Sequence, residues 1–338
     1  MKIIVDIGGC DHPAKMVGGA VDAAKEFKDY TITVVGDERF IRDNAGANLP
    51  SNLEVVHAPD LITNDDVPTR AIRQKPDSSL VRSFGILTGS DDAIGLVSGG
   101  STGAVLTGAT LLVGRIKGVS RPVLTAFLPT AVDGKLVCVA DCGANVDSKP
   151  EFLSQFALMA NVYVRALMGT ENPRIALLSV GTEDHKGDER TRATHALLKE
   201  SGLNFVGNME ARDALTGDYD IIVTDGFAGN VLVKSVEGTA KMVMGQLKKA
   251  LFSSFKAKLG ALMVKKSLGS LKTKMDYHRY GGGAFLGVKK LVVKTHGSSN
   301  EISTKASIHN IIRMHEHHIL DDISAGVSVA GSEGTASE

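Results

Sequence analysis

The sequence predicts an α/β protein built on a mostly parallel sheet covered by helices on both faces. Three observations carry that expectation. Short apolar runs recur along the 338 residues, helical patterns follow several of them, and most runs end in Asp, Gly or Ser. Strands that are apolar throughout are those buried on both faces, and strands that alternate with helices form parallel sheets.

In chain order, the strand candidates are 2–7 (KIIVDI), 31–37 (TITVVGD), 53–58 (LEVVHA), 93–98 (AIGLVS) and 135–141 (KLVCVAD), followed by 174–181 (RIALLSVG), 204–208 (NFVGN), 220–226 (DIIVTDG) and 289–297 (KKLVVKTHG). In parallel sheets, ligands bind beyond the carboxyl ends of the strands. Those ends read DIGGCDHP, SGGSTG, DCGANVDSK, VGTEDHKG, DGFAGN and THGSS, small and polar in every case. Residues 1–325 read as one domain. The tail from Gly326, GVSVAGSEGTASE, is small and polar and reads as disordered.

Residues 238–275 differ from the rest: they hold nine lysines and no acidic residue. Met244, Leu247, Leu251, Phe255, Leu259 and Leu262 recur at helical spacing. A helical projection is expected there. It fits either a core- or dimer-facing helix with a solvated basic face, or a surface that also touches an anionic membrane or an acidic partner.

Composition narrows the function classes. Charged residues make up 22% and formal net charge is zero, so nothing global favours nucleic acid. No apolar run approaches the ~20 residues of a membrane span. The amino end reads as strand then loop rather than a secretory leader. Cys10, Cys138 and Cys142 form no CxxC pair, which suits a reducing cytoplasm and no metal.

Two well-known nucleotide loops, GxGxxG and GxxxxGK[ST], are missing from the sequence. Gly99-Gly100-Ser101-Thr102-Gly103 follows a strand and precedes a helix. It fits the GxSxG nucleophile elbow, for which Asp225 and His296 supply a drawable triad order. A cradle of backbone amides at a helix start, with Ser98, Ser101 and Thr102 adding hydroxyl donors for an anion, asks less of the sequence. A plain capped turn is the third reading. Lys186 in VGTEDHKG, the cluster Asn145, Asp147 and Lys149, the turn of Asp225, Gly226 and Asn230, and His296, Gly297 and Ser298 are further polar groups at strand ends. Each also admits a purely solvating role.

Taken together, DIGGCDHP, RQKPDSSL, SGGSTGA, GRIKGVSRPVLTAFLPT, GANVDSKPEFLSQFALM, ENPRIALLSVGTEDHKG, DGFAGNVLVKSVEG and YGGGAFLGVKKLVVKTHGSS resemble, in order and spacing from about residue 3 to 320, the PlsX family. These are acyl-[acyl-carrier-protein]:phosphate acyltransferases of bacterial phospholipid synthesis. The resemblance implies an α/β/α sandwich of the isocitrate/isopropylmalate-dehydrogenase-like type and no cofactor. It implies a cytoplasmic homodimer peripherally associated with the membrane, which passes acyl phosphate to a membrane glycerol-3-phosphate acyltransferase. The substrates would be acyl carrier protein thioester and inorganic phosphate.

The catalytic candidates are Lys186 and His296. The phosphate and substrate candidates are Asp6, Gly8, Gly9, Asp11, His12, Ser98, Gly99, Gly100, Ser101, Thr102, Gly103, Asn145, Asp147, Lys149, Asp225, Gly226, Asn230, Gly297 and Ser298. Two positions depart from the family's usual residues: Cys10 stands where glycine is common, and Ser101 where asparagine is common. Asparagine cannot be an elbow nucleophile, so the GxSxG match is expected to be accidental.

Overall fold

The computed structural model describes residues 1–274, 277–297 and 299–334, with the side chains of 270–274, 277–278 and 330–334 left aside. The first part alternates strand and helix: β1 (Lys2–Asp6), α1 (Pro13–Glu26), β2 (Thr31–Gly36), α2 (Glu38–Ala45), β3 (Leu53–His57), α3 (Pro68–Gln74), α4 (Ser79–Gly89), β4 (Ala93–Ser98) and α5 (Thr102–Gly108), which runs into one π-helical turn at Ala109–Val113. Then come β5 (Val123–Pro129), β6 (Leu136–Ala140), α6 (Pro150–Met168), β7 (Ile175–Ser179), α7 (Glu189–Glu200), β8 (Phe205–Glu210) and β9 (Ile221–Val223). The helical projection is α8 (Gly226–Leu251), α9 (Phe255–Met263) and α10 (Lys265–Lys274). The chain ends with β10 (Gly283–Leu286), β11 (Leu291–Lys294), α11 (Glu301–Glu316) and α12 (Ile319–Gly334).

All eleven described strands share one sheet, in the order β3-β2-β1-β4-β11-β10-β5-β6-β9-β7-β8. The expected α/β class and mostly parallel sheet are what the structure has. Two apolar cores lie on its two faces, with α1, α6 and α11 over one and α4, α5 and the start of α8 over the other. The strand candidates correspond to nine of the eleven strands; β5 and β10 are additions. These two are the ones that break the parallel run. β10 is antiparallel to both β11 and β5, and β5 is antiparallel to β6.

The consequence is a correction to the expected layout of strand ends. β3, β2, β1, β4 and β11 point one way. β6, β9, β7 and β8 point the other way. The ends DIGGCDHP, SGGSTG and THGSS therefore gather at one end of the sheet, while DCGANVDSK, VGTEDHKG and DGFAGN gather at the opposite end.

A second correction concerns the tail. The chain from Gly326 is not unstructured where described: α12 continues to Gly334. Ile319, Ile323 and Val327 fall at four-residue steps and are 1%, 1% and 4% exposed. Val327 meets the 118 turn, where a Cβ on Gly118 would lie 2.9 Å from it, and Gly326 packs beside Leu158 of α6. Composition dominated by Gly, Ser and Ala hid a helix whose single apolar stripe begins upstream. Residues 335–338 lie outside the described part.

Placing a carboxylate in that stripe should be costly, because it would put a charge at a position that is 4% exposed among buried apolar side chains. Val327→Asp is expected to lower the urea midpoint by the equivalent of about 2 kcal/mol or more. An unchanged midpoint would mean that α12 contributes nothing to the fold.

Candidate active site

The site starts from a buried carboxylate. Asp6 ends β1 with no exposed surface. Its Oδ1 accepts the amide of Gly8 at 3.0 Å and its Oδ2 accepts the hydroxyl of Ser98 at 2.7 Å. The Ser98 oxygen in turn accepts the amide of Gly100 at 3.1 Å, and the Ser98 carbonyl accepts the amide of Thr295 at 2.9 Å. Asp11 donates its amide to Gly297 O at 3.0 Å. One carboxylate thus ties together the loops after β1, β4 and β11. Burial pushes the Asp6 carboxyl up from its ordinary value, and the bonds from Ser98 and Gly8 oppose that.

Glycine is required at two points of this assembly. Gly9 has φ +67°, and a Cβ there would lie 2.5 Å from Ile62 O. At Gly99 a Cβ would lie 2.5 Å from Met16 Sδ and 2.7 Å from Cys10 Cβ.

The other end of the sheet repeats the device. Asp141 is buried after β6, and its oxygens accept the amides of Gly143 at 3.0 Å, Ala144 at 2.9 Å and Asn145 at 2.7 Å. Burial raises its carboxyl as well, against those bonds. The Asn145 side chain donates to Asp141 Oδ2 at 2.8 Å and to Pro122 O at 2.7 Å, so both of its donors are engaged within the protein. Asp225 caps α8 by accepting the Ala228 amide at 2.9 Å, and it pairs with Arg190 at 2.7 Å. Gly226 donates to Asn145 O at 2.8 Å.

Helix α8 joins the two ends. It starts at the second, and its third and fourth turns bring Lys234 and Glu237 to His296 at the first, a rise of about 12 Å by Lys234. His296 Nε2 stands 2.7 Å from Lys234 Nζ and 3.4 Å from a Glu237 oxygen, and Lys234 pairs with Glu237 at 2.9 Å. Burial pushes the Glu237 carboxyl up, but His296 and Lys234 overcome it and hold the group below its ordinary value.

Between α8 and the glycine loops lies a cleft of about 330 Å³. Gly9, Asp11, Gly99, Gly100, Ser101, Thr102, His296 and Gly297 line one end, with Lys234 and Lys294. Leu124, Ala126 and Leu128 of β5, with Val233 and Cys142, supply an apolar wall, and Asn230 and Tyr280 join it. Such a combination of an apolar wall and a few convergent polar groups is typical of a small-molecule site.

The expected residues divide accordingly. Those just named, with Asn230, line the cleft. Asp6, Gly8 and Ser98 hold its loops together, Gly103 lies in the first turn of α5 against Pro68, and His12 is exposed at the start of α1. Asp147, Lys149 and Lys186 are exposed at the opposite strand ends, so the cleft gathers His296 but not Lys186. Asn145, Asp225 and Gly226 build the start of α8. Ser298 lies outside the described residues. Lys234, Glu237 and Lys294 were not expected. The sequence held one signal for Lys294, its place at the end of an apolar strand; the α8 pair sits inside a long helical pattern that marks no function. Among the described residues, no group of three His, Cys, Asp or Glu side chains is placed to hold a metal ion.

The elbow reading fails on geometry. Ser101 Oγ accepts the amide of Ala104 at 3.2 Å as the N-cap of α5. No described hydrogen bond joins it to His296, whose Nε2 faces Lys234 and Glu237, and Asp225 is engaged by Arg190. A nucleophile elbow needs the Ser–His bond and an acid that orients the His.

Residues 1–321 match the model of a family described as "Fatty acid synthesis protein". Proteins named phosphate acyltransferase from Brevibacillus brevis and Bacillus pumilus are each 44% identical, the first over 96% of both chains and the second over 100% of both. The chain belongs to this family, the PlsX phosphate acyltransferases. As a phosphate acyltransferase it is an enzyme of fatty acid and phospholipid synthesis. Among solved structures, a phosphotransacetylase from Streptococcus pyogenes matches with TM-score 0.61 and 17% identity over 93% of this chain and 94% of that one. The EutD phosphotransacetylase from Staphylococcus aureus matches with TM-score 0.57 and 15% identity over 94% of each chain. At such identities the likeness is one of fold.

If Ser101 only caps a helix in this acyltransferase, Ser101→Ala should cost about 1 kcal/mol of stability. It should spare the enzyme the ~10⁴-fold or greater loss of turnover that follows removal of a covalent nucleophile. A loss of that size together with an acyl-enzyme adduct in intact-mass spectra would restore the elbow.

Proposed function

We propose that the enzyme transfers a fatty acyl group from acyl-[acyl-carrier-protein] to inorganic phosphate, releasing free carrier protein and acyl phosphate. The observation that carries this reading is the makeup of the cleft: cations and open backbone amides at one end, an apolar wall along β5 at the other. A phosphate dianion is itself a nucleophile and needs no covalent relay. The protein's task is to hold it, exclude water and stabilise the oxyanion formed on the thioester carbonyl. One well-placed donor to that oxyanion contributes about 3 kcal/mol. α5 is short, so the charges of Lys234 and Lys294, with His296 and the amides of Ser101 and Thr102, matter more here than a helix dipole. Leu124, Ala126, Leu128 and Val233 accept the start of the acyl chain.

The decisive assay mixes acyl carrier protein thioester with enzyme, with and without inorganic phosphate, and follows free thiol and hydroxylamine-trapped acyl phosphate. Thiol release should require phosphate. Lys234→Ala and His296→Ala should raise the KM for phosphate while the circular dichroism spectrum stays unchanged. Phosphate-independent thiol release would point to a hydrolase instead.

The same reading includes a cytoplasmic homodimer that works at the membrane and hands acyl phosphate to a membrane glycerol-3-phosphate acyltransferase. No helix among the described residues is long and apolar enough to cross a membrane. What supports surface contact is the projection. In its stripe Met244, Leu247 and Leu251 are half-buried, whereas Phe255, Leu259, Leu262 and Met263 are exposed, Met263 by 84%. Lysines flank these side chains, and each near an anionic bilayer contributes about 1 kcal/mol. Changing Lys256, Lys258, Lys265 and Lys266 to Glu should abolish sedimentation with anionic liposomes. Equal binding by the altered protein at low salt would return the projection to a purely structural or dimer-forming role.

A further inference from the structure

One cation of the cleft has no task in the scheme above beyond its charge. Lys294 ends β11, lines the cleft and is 9% exposed. Its Nζ lies 3.5 Å from Gly99 O and also donates to Thr295 O. An ammonium has three donors. Those two carbonyls leave a third for the cleft. The charged and titratable groups that act on Lys294 are Asp6, Asp11, Cys10 and Lys234. Burial lowers its pKa to about 8, which puts proton loss within easy reach.

The other candidates for moving a proton are less suited. His296 and Lys234 are held by each other and by Glu237. The Cys10 thiol, which burial pushes up to about 11, donates to Ile7 O at 3.2 Å.

We propose that Lys294 is a catalytic residue that carries a proton from the attacking phosphate to the departing thiol. The proposal rests on the phosphate-transfer reading. A hydrogen phosphate oxygen bonds to the thioester carbonyl carbon. The C–S bond breaks, its electron pair stays on sulfur, and the sulfur takes a proton from the Lys294 ammonium. The new acyl phosphate is a stronger acid than hydrogen phosphate, and it returns its proton to the neutral amine. Hydrogen phosphate has lost one proton, the thiol has gained one, and Lys294 is restored. An aliphatic thiol of the cysteine type has a pKa of about 8.5. Donor and acceptor are therefore closely matched, the condition under which general acid catalysis is most effective.

The test compares two acyl donors in the phosphate-dependent assay: the N-acetylcysteamine thioester, whose thiol leaves poorly unprotonated, and the thiophenyl ester, whose thiolate leaves without help. Lys294→Gln should slow the first by about 100-fold or more and the second by distinctly less. Lys294→Arg keeps the charge but cannot give up a proton, so it should resemble Gln rather than wild type. In the wild type, turnover of the aliphatic donor should fall above about pH 8 as the ammonium deprotonates, and that limb should be weak or missing with the thiophenyl ester. Equal losses on the two donors, rescue by Arg, or one shared alkaline limb would each overturn the relay. The wild-type pH comparison decides the matter even where a variant does not fold. If the wild type releases no thiol from either donor in response to phosphate, the transfer reading fails rather than the relay.

Discussion

A carboxylate buried at the end of a strand is unfavourable unless its lone pairs are used, and this protein uses that constraint to shape its loops. Asp6 gathers Gly8, Ser98 and, through Ser98, Gly100 and Thr295. Asp141 gathers Gly143, Ala144 and Asn145. In each case satisfying the buried oxygens dictates the path of a glycine turn; the Asp6 turns line the cleft, and the Asp141 turn holds the start of α8.

The two carboxylates lie at opposite ends of the sheet because β10 and β5 reverse its direction. Helix α8 reconciles them. Its first turn is fixed by Asp225 and by the Asp141 loop, since Gly229 packs where a Cβ would lie 1.9 Å from Asp141 O. Its third and fourth turns deliver Lys234 and Glu237 to His296. The cleft is thus bounded by strand ends on one side and by a helix anchored to the far end on the other. The same helix runs out into the lysine-rich projection, so the proposed surface-binding part and the proposed substrate-binding part are joined by one helix.

The burial that makes Asp6 work as a strut also sets the character of Lys294. Both sit among β1, β4 and β11 with little access to water. Burial raises the carboxyl and lowers the amine, and each charge tempers the shift of the other.

By itself the sequence determined the α/β class, because strands buried on both faces must be apolar throughout and so announce themselves as in KIIVDI and AIGLVS. It also determined the glycine turns and the helical projection, since positive φ, close approach and helical periodicity restrict which residues can stand there. The acyltransferase family was legible in the ordered set of loops. Tertiary structure alone decided which loops meet. Strand direction depends on hydrogen-bonded neighbours rather than on composition, so VLTAFLP and GAFL gave no warning that Lys186 and His296 would end on opposite sides. The stripe through Val327 needed α6 and the 118 turn to become a core. Lys294 looked like any strand-end lysine until β1 and β4 closed over it. Its Nζ meets a carbonyl 195 residues away, at Gly99, and no local pattern records that.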